Sequence, residues 1–311
     1  MSRILVTGGA GFIGSHIAEN LLSKGYEVRA LDSLRTGSLE NIEDFRNHDY
    51  FDFFQGDIRD DNLEEVIKDV DVVFHEAAVT SVPESVRNPE LTNSVNLEGT
   101  EKVLEACDSE GVNRLIFAST CAVYGGVEDP PITEGHDLNP DSPYAESKVK
   151  AEEKCRKYNR EGSIETVILR YFNVYGPRQG RSKYSGVITK FIEKFENDEV
   201  PVIYGDGRQT RDFVYVDDVV RANLLALEGE GVSGRTFNVG SGRSVSINKL
   251  FEIISGAFDV SDVEPTYRDG RAGDIRHSES DLTRAKKDLG FEPRISLGEG
   301  VKRYINWRKR N

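Results

Sequence analysis

The sequence predicts an α/β protein built on a doubly wound parallel sheet, with a smaller C-terminal lobe. Three observations lead to this prediction: short apolar runs alternate with amphipathic stretches of helix length, a glycine-rich turn follows the first apolar run, and the alternation loosens after about residue 174. Such alternation is typical of a parallel sheet with helices on both faces. With 311 residues, the chain is long enough for one large domain or two modest ones.

The first half of the chain supplies most of the predicted sheet, and we expect residues 1–174 to form one domain. Apolar runs predict strands near residues 3–7, 27–32, 71–75, 114–118 and 166–171. Amphipathic stretches predict helices near residues 12–24, 62–68, 92–110 and 144–160.

The second half is expected to contribute to both lobes. A helix is predicted near 187–196, and another is expected to begin at the capping residue Ser246. The stretch "PVIYGDGRQTRDFVYVDD" predicts a strand, a turn and a second strand. We expect a strand and a helix near 212–240 to return to the sheet domain, so that 175–211 and 241–311 form a discontinuous smaller lobe.

Composition and charge disfavour several classes of protein. The chain has 40 Lys and Arg against 54 Asp and Glu, a net charge of −14, which argues against nucleic acid or an anionic membrane as a partner. No apolar run approaches the ~18 residues that a membrane helix needs. The three cysteines have no paired spacing, so neither a disulfide framework nor a metal site is predicted, and a cytoplasmic location is expected.

The turn "VTGGAGFIGSH" lies between the first predicted strand and the first predicted helix. Its glycines Gly8, Gly11 and Gly14 recur every three residues, which suits a tight turn, a close approach of pyrophosphate to the backbone, and close packing of helix on strand. A phosphate there would meet the free N–H groups and the dipole of the helix N-terminus. The turn and its flanking elements therefore predict a dinucleotide site.

An acid at the end of the second predicted strand bears on which dinucleotide would bind. Asp32, the last residue of "YEVRALD", can accept hydrogen bonds from the adenosine ribose hydroxyls and would repel a 2′-phosphate, so NAD is favoured over NADP. An ordinary strand-end carboxylate is the alternative, and the cation Arg35 close by weakens the argument. Asp57, in "GDIRD", stands where an acid could hold the adenine amino group, although this assignment is evenly balanced.

The stretch "PYAESK" puts a tyrosine and a lysine one helical turn apart, on one face of a predicted helix. An ordinary amphipathic helix would explain Tyr144 and Lys148 equally well if they stood alone. They follow "ASTCAVYG", however, whose hydroxyls end a strand at the edge of the sheet where ligands bind in this fold class. A lysine ammonium and a cationic nicotinamide would favour the tyrosine phenolate, and Thr120 could share the substrate's proton, which makes an acid–base pair beside a hydride carrier.

These motifs, taken in order, resemble a known enzyme family. The chain carries "TGGAGFIGSH", "HEAAVTSVPES", "NSVNLEGT", "STCAVYG", "SPYAESK", "LRYFNVYGPRQ", "YGDGRQTRDFVYVDD", "FNVGSG" and "RAGDIRHS". Each motif alone is modest, but their shared order is specific and extends nearly from end to end. The sequence resembles the nucleotide-sugar 4-epimerase group of the extended short-chain dehydrogenases/reductases, which implies a Rossmann fold with NAD as the cofactor and a UDP-sugar as the substrate.

The resemblance also implies roles for individual residues. Tyr144 resembles the catalytic base, Lys148 its partner, and Thr120 the hydroxyl that aligns the sugar. The implied cofactor-binding residues are Gly8, Gly11, Phe12, Ile13, Gly14, Asp32, Ser33, Thr36, Gly37, Asp57, Ile58, Ala77, Ala78, Asn96, Tyr144, Lys148 and Tyr171. The implied substrate-binding residues are Thr80, Ser81, Thr120, Tyr144, Asn173, Gln179, Val187, Val202, Tyr204, Arg211, Arg271 and Ser278.

The implied reaction is oxidation followed by reduction at sugar carbon 4, with inversion of the 4-keto sugar in between. The nearest alternative is a nucleotide-sugar 4,6-dehydratase. Such enzymes carry an Asp-Glu pair after the threonine, whereas Cys121 and Ala122 stand there in this chain. Ala122 also argues against a decarboxylase, and the presence of Tyr144, Lys148 and Thr120 together argues against a non-catalytic NAD-binding sensor.

Two further expectations follow from the resemblance. A homodimer is expected through a four-helix bundle of the helices near 92–108 and 144–160, whose extra apolar positions are Val95, Val103, Leu104 and Val149. Ser278 aligns with a gate beside sugar carbon 2, and a small residue there, with Thr80 and Ser81 nearby, predicts that UDP-N-acetylglucosamine is accepted as well as UDP-glucose. The alternative is that Ser278 is a solvated loop residue with no part in selection.

Overall fold

The computed structural model describes residues 2–60, 62–180, 186–260, 262–270 and 275–310. Its strands are β1 (Arg3–Thr7), β2 (Glu27–Asp32), β3 (Phe51–Gln55), β4 (Val72–His75), β5 (Arg114–Thr120), β6 (Glu165–Tyr171), β7 (Asn173–Tyr175), β8 (Val202–Tyr204), β9 (Thr210–Tyr215), β10 (Thr236–Val239), β11 (Ser244–Ser246) and β12 (Thr266–Arg268). Its helices are α1 (Phe12–Ser23), α2 (Leu63–Ile67), α3 (Val82–Arg87), α4 (Pro89–Asn93), α5 (Gly99–Glu110), α6 (Pro143–Glu161), α7 (Val187–Glu196), α8 (Val216–Glu228), α9 (Ile247–Ala257) and α10 (Leu297–Arg308).

A seven-stranded sheet carries the fold, in the order β3-β2-β1-β4-β5-β6-β10. Every pairing in it is parallel. The chain runs from β1 to one edge of the sheet, then returns to β4 and runs to the other edge, so the strand order reverses between β1 and β4. This is the doubly wound arrangement that the sequence predicts, and the fold class is confirmed. Ligands bind in such sheets outside the carboxyl ends of the strands at the point of reversal.

Apolar residues fill the space on both faces of the sheet. On one face, Ile17 and Leu21 of α1 and Val219 of α8 pack in one buried cluster. On the other face, α5 and α6 contribute Leu104 and Cys155 to a second cluster. Burial of an aliphatic side chain stabilises the folded state by about 1.5–3 kcal/mol, so these two layers fix how the strands and helices lie around the reversal point.

The C-terminal part adds two small sheets and a third core. Strands β11, β9 and β7 form one sheet and β12 pairs with β8 in another. The third buried cluster includes Phe191 of α7, Phe251 of α9 and Tyr304 of α10. β10, in contrast, lies beside β6 at the edge of the main sheet.

The structure differs from the sequence-based expectation at three places in the first half. Helix α3 was not predicted, because it is a single short stretch of six residues. Strand β3 was not predicted, because only Phe51 of its five residues is buried and its pattern lacks a clear apolar face. The single helix predicted over 92–110 is instead α4, a π-helical turn over Ser94–Glu98, and α5. The π turn carries Asn96, whose side chain bonds both the backbone N–H and the carbonyl of Val79.

The apolar positions expected to form a dimer interface are only partly available. Val103 and Leu104 are fully buried against the sheet, so their assignment to the interface is wrong. Their apolar character serves the protein's own core, which sequence periodicity alone does not distinguish from an interface. Val95 and Val149 remain half-buried. Among the helices that the structure describes, none has the length and apolar character needed to cross a membrane.

Candidate active site

A cleft of about 1300 Å³ opens where the strand order reverses. Pockets for a single small ligand are typically about 300–1,000 Å³, so the cleft has room for a cofactor and a second ligand. The predicted residues that line it are Gly8, Gly11, Phe12, Ile13, Gly14, Asp32, Ser33, Thr36, Asp57, Ile58, Ala77, Ala78, Thr80, Ser81, Thr120, Tyr144, Lys148, Tyr171 and Gln179. The cleft thus brings together most of the predicted cofactor residues with the predicted catalytic residues.

The glycine turn forms one end of the cleft, and its geometry requires glycine. Gly8 has a φ of +69°, and a Cβ there would lie 2.9 Å from the backbone nitrogen of Ala77. A Cβ on Gly14 would lie 2.2 Å from the Gly8 carbonyl oxygen, and one on Gly11 would lie 2.9 Å from the same oxygen. The backbone therefore packs too closely for any side chain, and it leaves a bare surface at the N-terminus of α1 that suits a pyrophosphate.

Asp32 is held in place beside that turn by backbone groups. Its carboxylate accepts hydrogen bonds from the N–H groups of Ala10 at 3.0 Å and Leu34 at 2.8 Å. Burial raises the pKa of Asp32, and these hydrogen bonds oppose the rise. Gly37 packs against the carboxylate, since a Cβ on Gly37 would lie 2.7 Å from one of its oxygens. The acid is thus fixed where a ribose could meet it.

Asp57 already has a partner within the chain. Arg59 donates two hydrogen bonds to its carboxylate, from Nε at 2.8 Å and from Nη2 at 2.7 Å. The hydrogen bond from Arg59 is the main reason that the pKa of Asp57 is lowered. An adenine amino group at this end of the cleft would share the carboxylate with Arg59.

Tyr144 and Lys148 lie in the first two turns of α6, whose start is well defined. Ser142 caps the helix by accepting the N–H of Ala145 at 3.3 Å, and Pro143 occupies the first helical position. Thr120, at the end of β5, lies close enough to Tyr144 to lower the pKa of its hydroxyl group, and both residues line the cleft. One hydroxyl from a strand end and one from a helix start therefore meet on the cleft wall.

The electrostatic effects on Tyr144 and Lys148 differ from the expectation. Burial raises the pKa of Tyr144 to about 12; the neighbouring Thr120 hydroxyl opposes this rise, while Cys121 and Glu76 add to it. Lys148 is not among the groups that shift Tyr144. Its ammonium donates to the Ala118 carbonyl at 2.8 Å, and burial lowers its pKa to about 8. The expected help from Lys148 to the Tyr144 phenolate is therefore not seen in the protein alone.

A buried ion pair that was not predicted from the sequence stabilises the wall of the cleft. Glu152, one turn beyond Lys148, accepts two hydrogen bonds from Arg170 at 2.9 and 2.7 Å and one from the Ser119 hydroxyl at 2.5 Å. The pair joins α6, β6 and Ser119 at the end of β5, the residue that precedes Thr120. No local signal in the sequence indicates this pair, because Glu152 and Arg170 are 18 residues apart and lie on different elements.

Two predicted cofactor residues use their polar groups within the protein. Asn96 is buried, and besides its bonds to Val79 it donates to the Ser147 hydroxyl at 3.0 Å, so it holds the cleft wall and does not line it. Tyr171 lines the cleft, but its hydroxyl donates to Glu76 at 2.8 Å and accepts from the Asn223 amide at 2.8 Å. Burial raises the pKa of Glu76 to about 7, and its carboxyl also lines the cleft. Glu76 could not be predicted from the sequence because a lone acid in "HEAA" carries no local signal.

The predicted substrate residues divide into two groups. Thr80, Ser81 and Gln179, like Thr120 and Tyr144, line the cleft, and the Ser81 hydroxyl also caps α3 by accepting the N–H of Glu84. The others do not line its described surface, and they lie in or beside the small sheets and α7: Asn173, Val187, Val202, Tyr204, Arg211 and Ser278. Arg271 lies outside the described residues.

Arg211 and Ser278 illustrate how this second group is held. Arg211 donates to the carbonyls of Thr210 and Ile275, at 2.8 and 2.6 Å, so its guanidinium joins β9 to Ile275. Ser278 is only 6% exposed, which contradicts the alternative of a solvated loop residue. Trp307 of α10 and Arg178 also line the cleft, although neither was a predicted site residue.

Comparison with known proteins places the chain in a family. A model of the NAD dependent epimerase/dehydratase family matches residues 4–240. The chain is 39% identical over 308 residues to a UDP-glucose 4-epimerase of Mycolicibacterium smegmatis, with 98% of each protein covered. Among solved structures it resembles a UDP-N-acetylglucosamine 4-epimerase of Methanobrevibacter ruminantium, in complex with UDP-N-acetylmuramic acid (TM-score 0.95, 40% identity, 99% of this chain and 98% of the other). It likewise resembles a UDP-glucose 4-epimerase of Thermotoga maritima with UDP-glucose (TM-score 0.93, 40% identity, 99% of both chains).

These matches cover nearly the whole chain and agree with the order of motifs in the sequence. The protein belongs to the NAD dependent epimerase/dehydratase family, within the extended short-chain dehydrogenases/reductases.

Proposed function

We propose that the protein is an NAD-dependent UDP-sugar 4-epimerase that interconverts UDP-glucose and UDP-galactose, and UDP-N-acetylglucosamine and UDP-N-acetylgalactosamine. The observation that carries the proposal is that Tyr144, Lys148 and Thr120 lie together in the wall of a cleft that also contains the glycine turn. Relatives that share about two fifths of the sequence are epimerases of these two sugar nucleotides, which supports both substrate pairs.

In this proposal, residues 1–174 and 212–240 form the lobe that holds NAD, and the rest of the chain binds the UDP-sugar. Gly8, Gly11 and Gly14 would leave room for the pyrophosphate, and Asp32 would accept the adenosine ribose hydroxyls. Bound NAD would supply the hydride chemistry at sugar carbon 4.

The chain's own residues would move the proton. Tyr144 would take the proton of the 4-hydroxyl as the sugar is oxidised and return it when the 4-keto sugar is reduced on its other face. Thr120 would hold the sugar oxygen within reach of Tyr144. Since burial raises the pKa of Tyr144 to about 12 in the protein alone, the positive charge of the bound nicotinamide would favour the phenolate once the site is loaded.

The rival dehydratase reaction needs an acid to protonate the departing hydroxyl group. Cys121 stands at that position, and burial raises the pKa of its thiol to about 12, so it is a poor proton donor near neutral pH. Ala122 has no ionisable group. This pair of residues favours epimerisation over elimination of water.

Product analysis by NMR tests the proposal. Purified protein should convert UDP-glucose and, separately, UDP-N-acetylglucosamine into mixtures of their 4-epimers, and Tyr144→Phe should not. A 4-keto-6-deoxy sugar would establish the dehydratase reaction in its place, and unchanged sugars would reject both enzymatic functions.

We also propose a homodimer through α5 and α6, on the strength of the family resemblance. The half-buried Val149 is the remaining candidate contact on α6. Light scattering at micromolar concentration should give twice the mass of the chain, and a monomer would contradict the assembly without bearing on the chemistry.

A further inference from the structure

An ion pair spans the cleft at the end where Asp32 would meet the adenosine ribose. Arg35, which follows Asp32 in the segment after β2, donates through Nη2 to the carboxylate of Glu84 in α3. The two residues are 49 positions apart in the chain, and both line the cleft. The Arg35 side chain is 40% exposed and that of Glu84 is 23% exposed, so the pair lies at the rim of the cleft.

An arginine at the position of Arg35 can affect which dinucleotide binds. In doubly wound folds, an arginine near the acid at the end of the second strand can accommodate the 2′-phosphate of NADP. A guanidinium binds a phosphate through paired, charge-assisted hydrogen bonds. If Arg35 were unengaged, it would oppose the selectivity that Asp32 confers, which is the ambiguity that the sequence leaves open.

The position of Glu84 is set by local structure. Ser81 caps the first turn of α3 by accepting the Glu84 N–H at 3.2 Å, and Pro83 stiffens that turn. The other charged residue of this short helix, Arg87, donates instead to the Pro83 carbonyl at 3.1 Å. The Glu84 carboxylate is thereby presented to Arg35 across the cleft.

We propose that Glu84 is a specificity-determining residue for the dinucleotide. By engaging Arg35, it keeps the guanidinium from a ribose 2′-phosphate, so Asp32 and Glu84 together select the dinucleotide without that phosphate. The inference rests on the cofactor part of the proposed function, and it is independent of which sugar the enzyme converts.

Dinucleotide affinity, measured by competition against the fluorescence of bound NADH, tests the proposal without any assay of turnover. Glu84→Gln should tighten NADP binding about 3- to 10-fold, the range expected for one charge-assisted contact at a partly exposed site, and should change NAD binding less than about two-fold. Glu84→Gln combined with Arg35→Gln should lose that gain. Glu43→Gln, which removes a charge from another cleft-lining residue, is the matched control and should favour neither dinucleotide.

Three results would overturn the proposal: an equal change for NAD and NADP in Glu84→Gln, the same gain in Glu43→Gln, or a gain that survives in the double variant. Arg35→Gln alone gives a second test that leaves Glu84 in place. It should leave the affinity for NADP nearly unchanged, and a large loss would show that Arg35 already contacts the phosphate. Failure of the wild-type protein to bind NADH would instead reject the cofactor in the proposed function.

Discussion

The two ends of the cleft are built in different ways. At the glycine end, the residues lie on strand ends and on the turn between β1 and α1, and backbone contacts at 2.2–2.9 Å from any added Cβ fix their positions. On the small-lobe side, Arg211 and Ser278 lie beyond the described surface of the cleft and are held by tertiary packing, as in the hydrogen bond from Arg211 to the Ile275 carbonyl, 64 residues away in the chain. Residues on strand ends are therefore located by the topology of the sheet, whereas residues on connecting segments are located only by tertiary packing.

Removal of the Tyr144 hydroxyl should have the largest effect, because it removes the chemistry that both ends of the cleft serve. Tyr144→Phe should lower kcat about 10²- to 10⁴-fold, the usual contribution of general acid–base catalysis, and leave NAD binding intact. Steady-state kinetics with UDP-glucose would measure it. Tyr267→Phe is the matched control, since Tyr267 is 53% exposed in the small lobe, and it should be close to wild type. Turnover of Tyr144→Phe within a few-fold of wild type would remove the tyrosine from the mechanism.

The next effect tests the small-lobe end. If Arg211 binds the diphosphate, Arg211→Ala should weaken UDP binding about 10- to 150-fold, as expected for loss of a charge-assisted hydrogen bond worth roughly 1.5–3 kcal/mol. Calorimetry with UDP and with NAD would separate the two ends, because NAD binding should not change. Arg276→Ala removes an exposed arginine of the same lobe that pairs with Asp206, and it serves as the control. Equal UDP affinity in both variants would contradict the role of Arg211.

A substitution at the glycine end should affect NAD binding more than UDP binding, the reverse of Arg211→Ala. Gly14→Ala forces a Cβ to within 2.2 Å of the Gly8 carbonyl oxygen and should destabilise the fold by roughly 1–3 kcal/mol, while weakening NAD binding more than UDP binding. Chemical denaturation and calorimetry would measure both. Gly256→Ala, in α9 of the small lobe, has nothing within 4 Å of the added Cβ and should be neutral or slightly stabilising. A Gly14→Ala protein as stable as wild type, with normal NAD affinity, would show that the turn is not tightly packed.

The smallest expected effect comes from the charge of Glu76, which lines the cleft. Burial raises the pKa of Glu76 to about 7, and its facing groups are Lys148, Tyr144 and Tyr171. As pH rises through that value Glu76 becomes negative and raises the pKa of Tyr144. Glu76→Gln removes this negative charge, so the acid limb of the kcat profile should move to lower pH by less than about one unit. Glu43→Gln should leave the profile in place, and a shift of Glu76→Gln to higher pH would contradict the sign.

The same contrast explains what the sequence could predict. The sheet, the glycine turn and α6 follow from local periodicity and capping, since "VTGGAGFIGSH" and "SPYAESK" each specify an element together with the groups that it presents. Glu76, Glu152 and Trp307 were missed because their importance arises from neighbours far away in the chain. Val103 and Leu104 were assigned to an interface because an apolar residue gives the same sequence pattern in a core and at a dimer contact.

The central claim is that a hydride leaves sugar carbon 4 and returns to it within one cleft. UDP-glucose deuterated at carbon 4 tests this directly, with NMR of the epimer formed in ordinary water. We expect the deuterium to remain at carbon 4 of UDP-galactose, because a hydride held by bound NAD does not exchange with solvent. Loss of the deuterium to solvent, with hydrogen in its place at carbon 4, would show that epimerisation proceeds by proton abstraction and would contradict the proposed function.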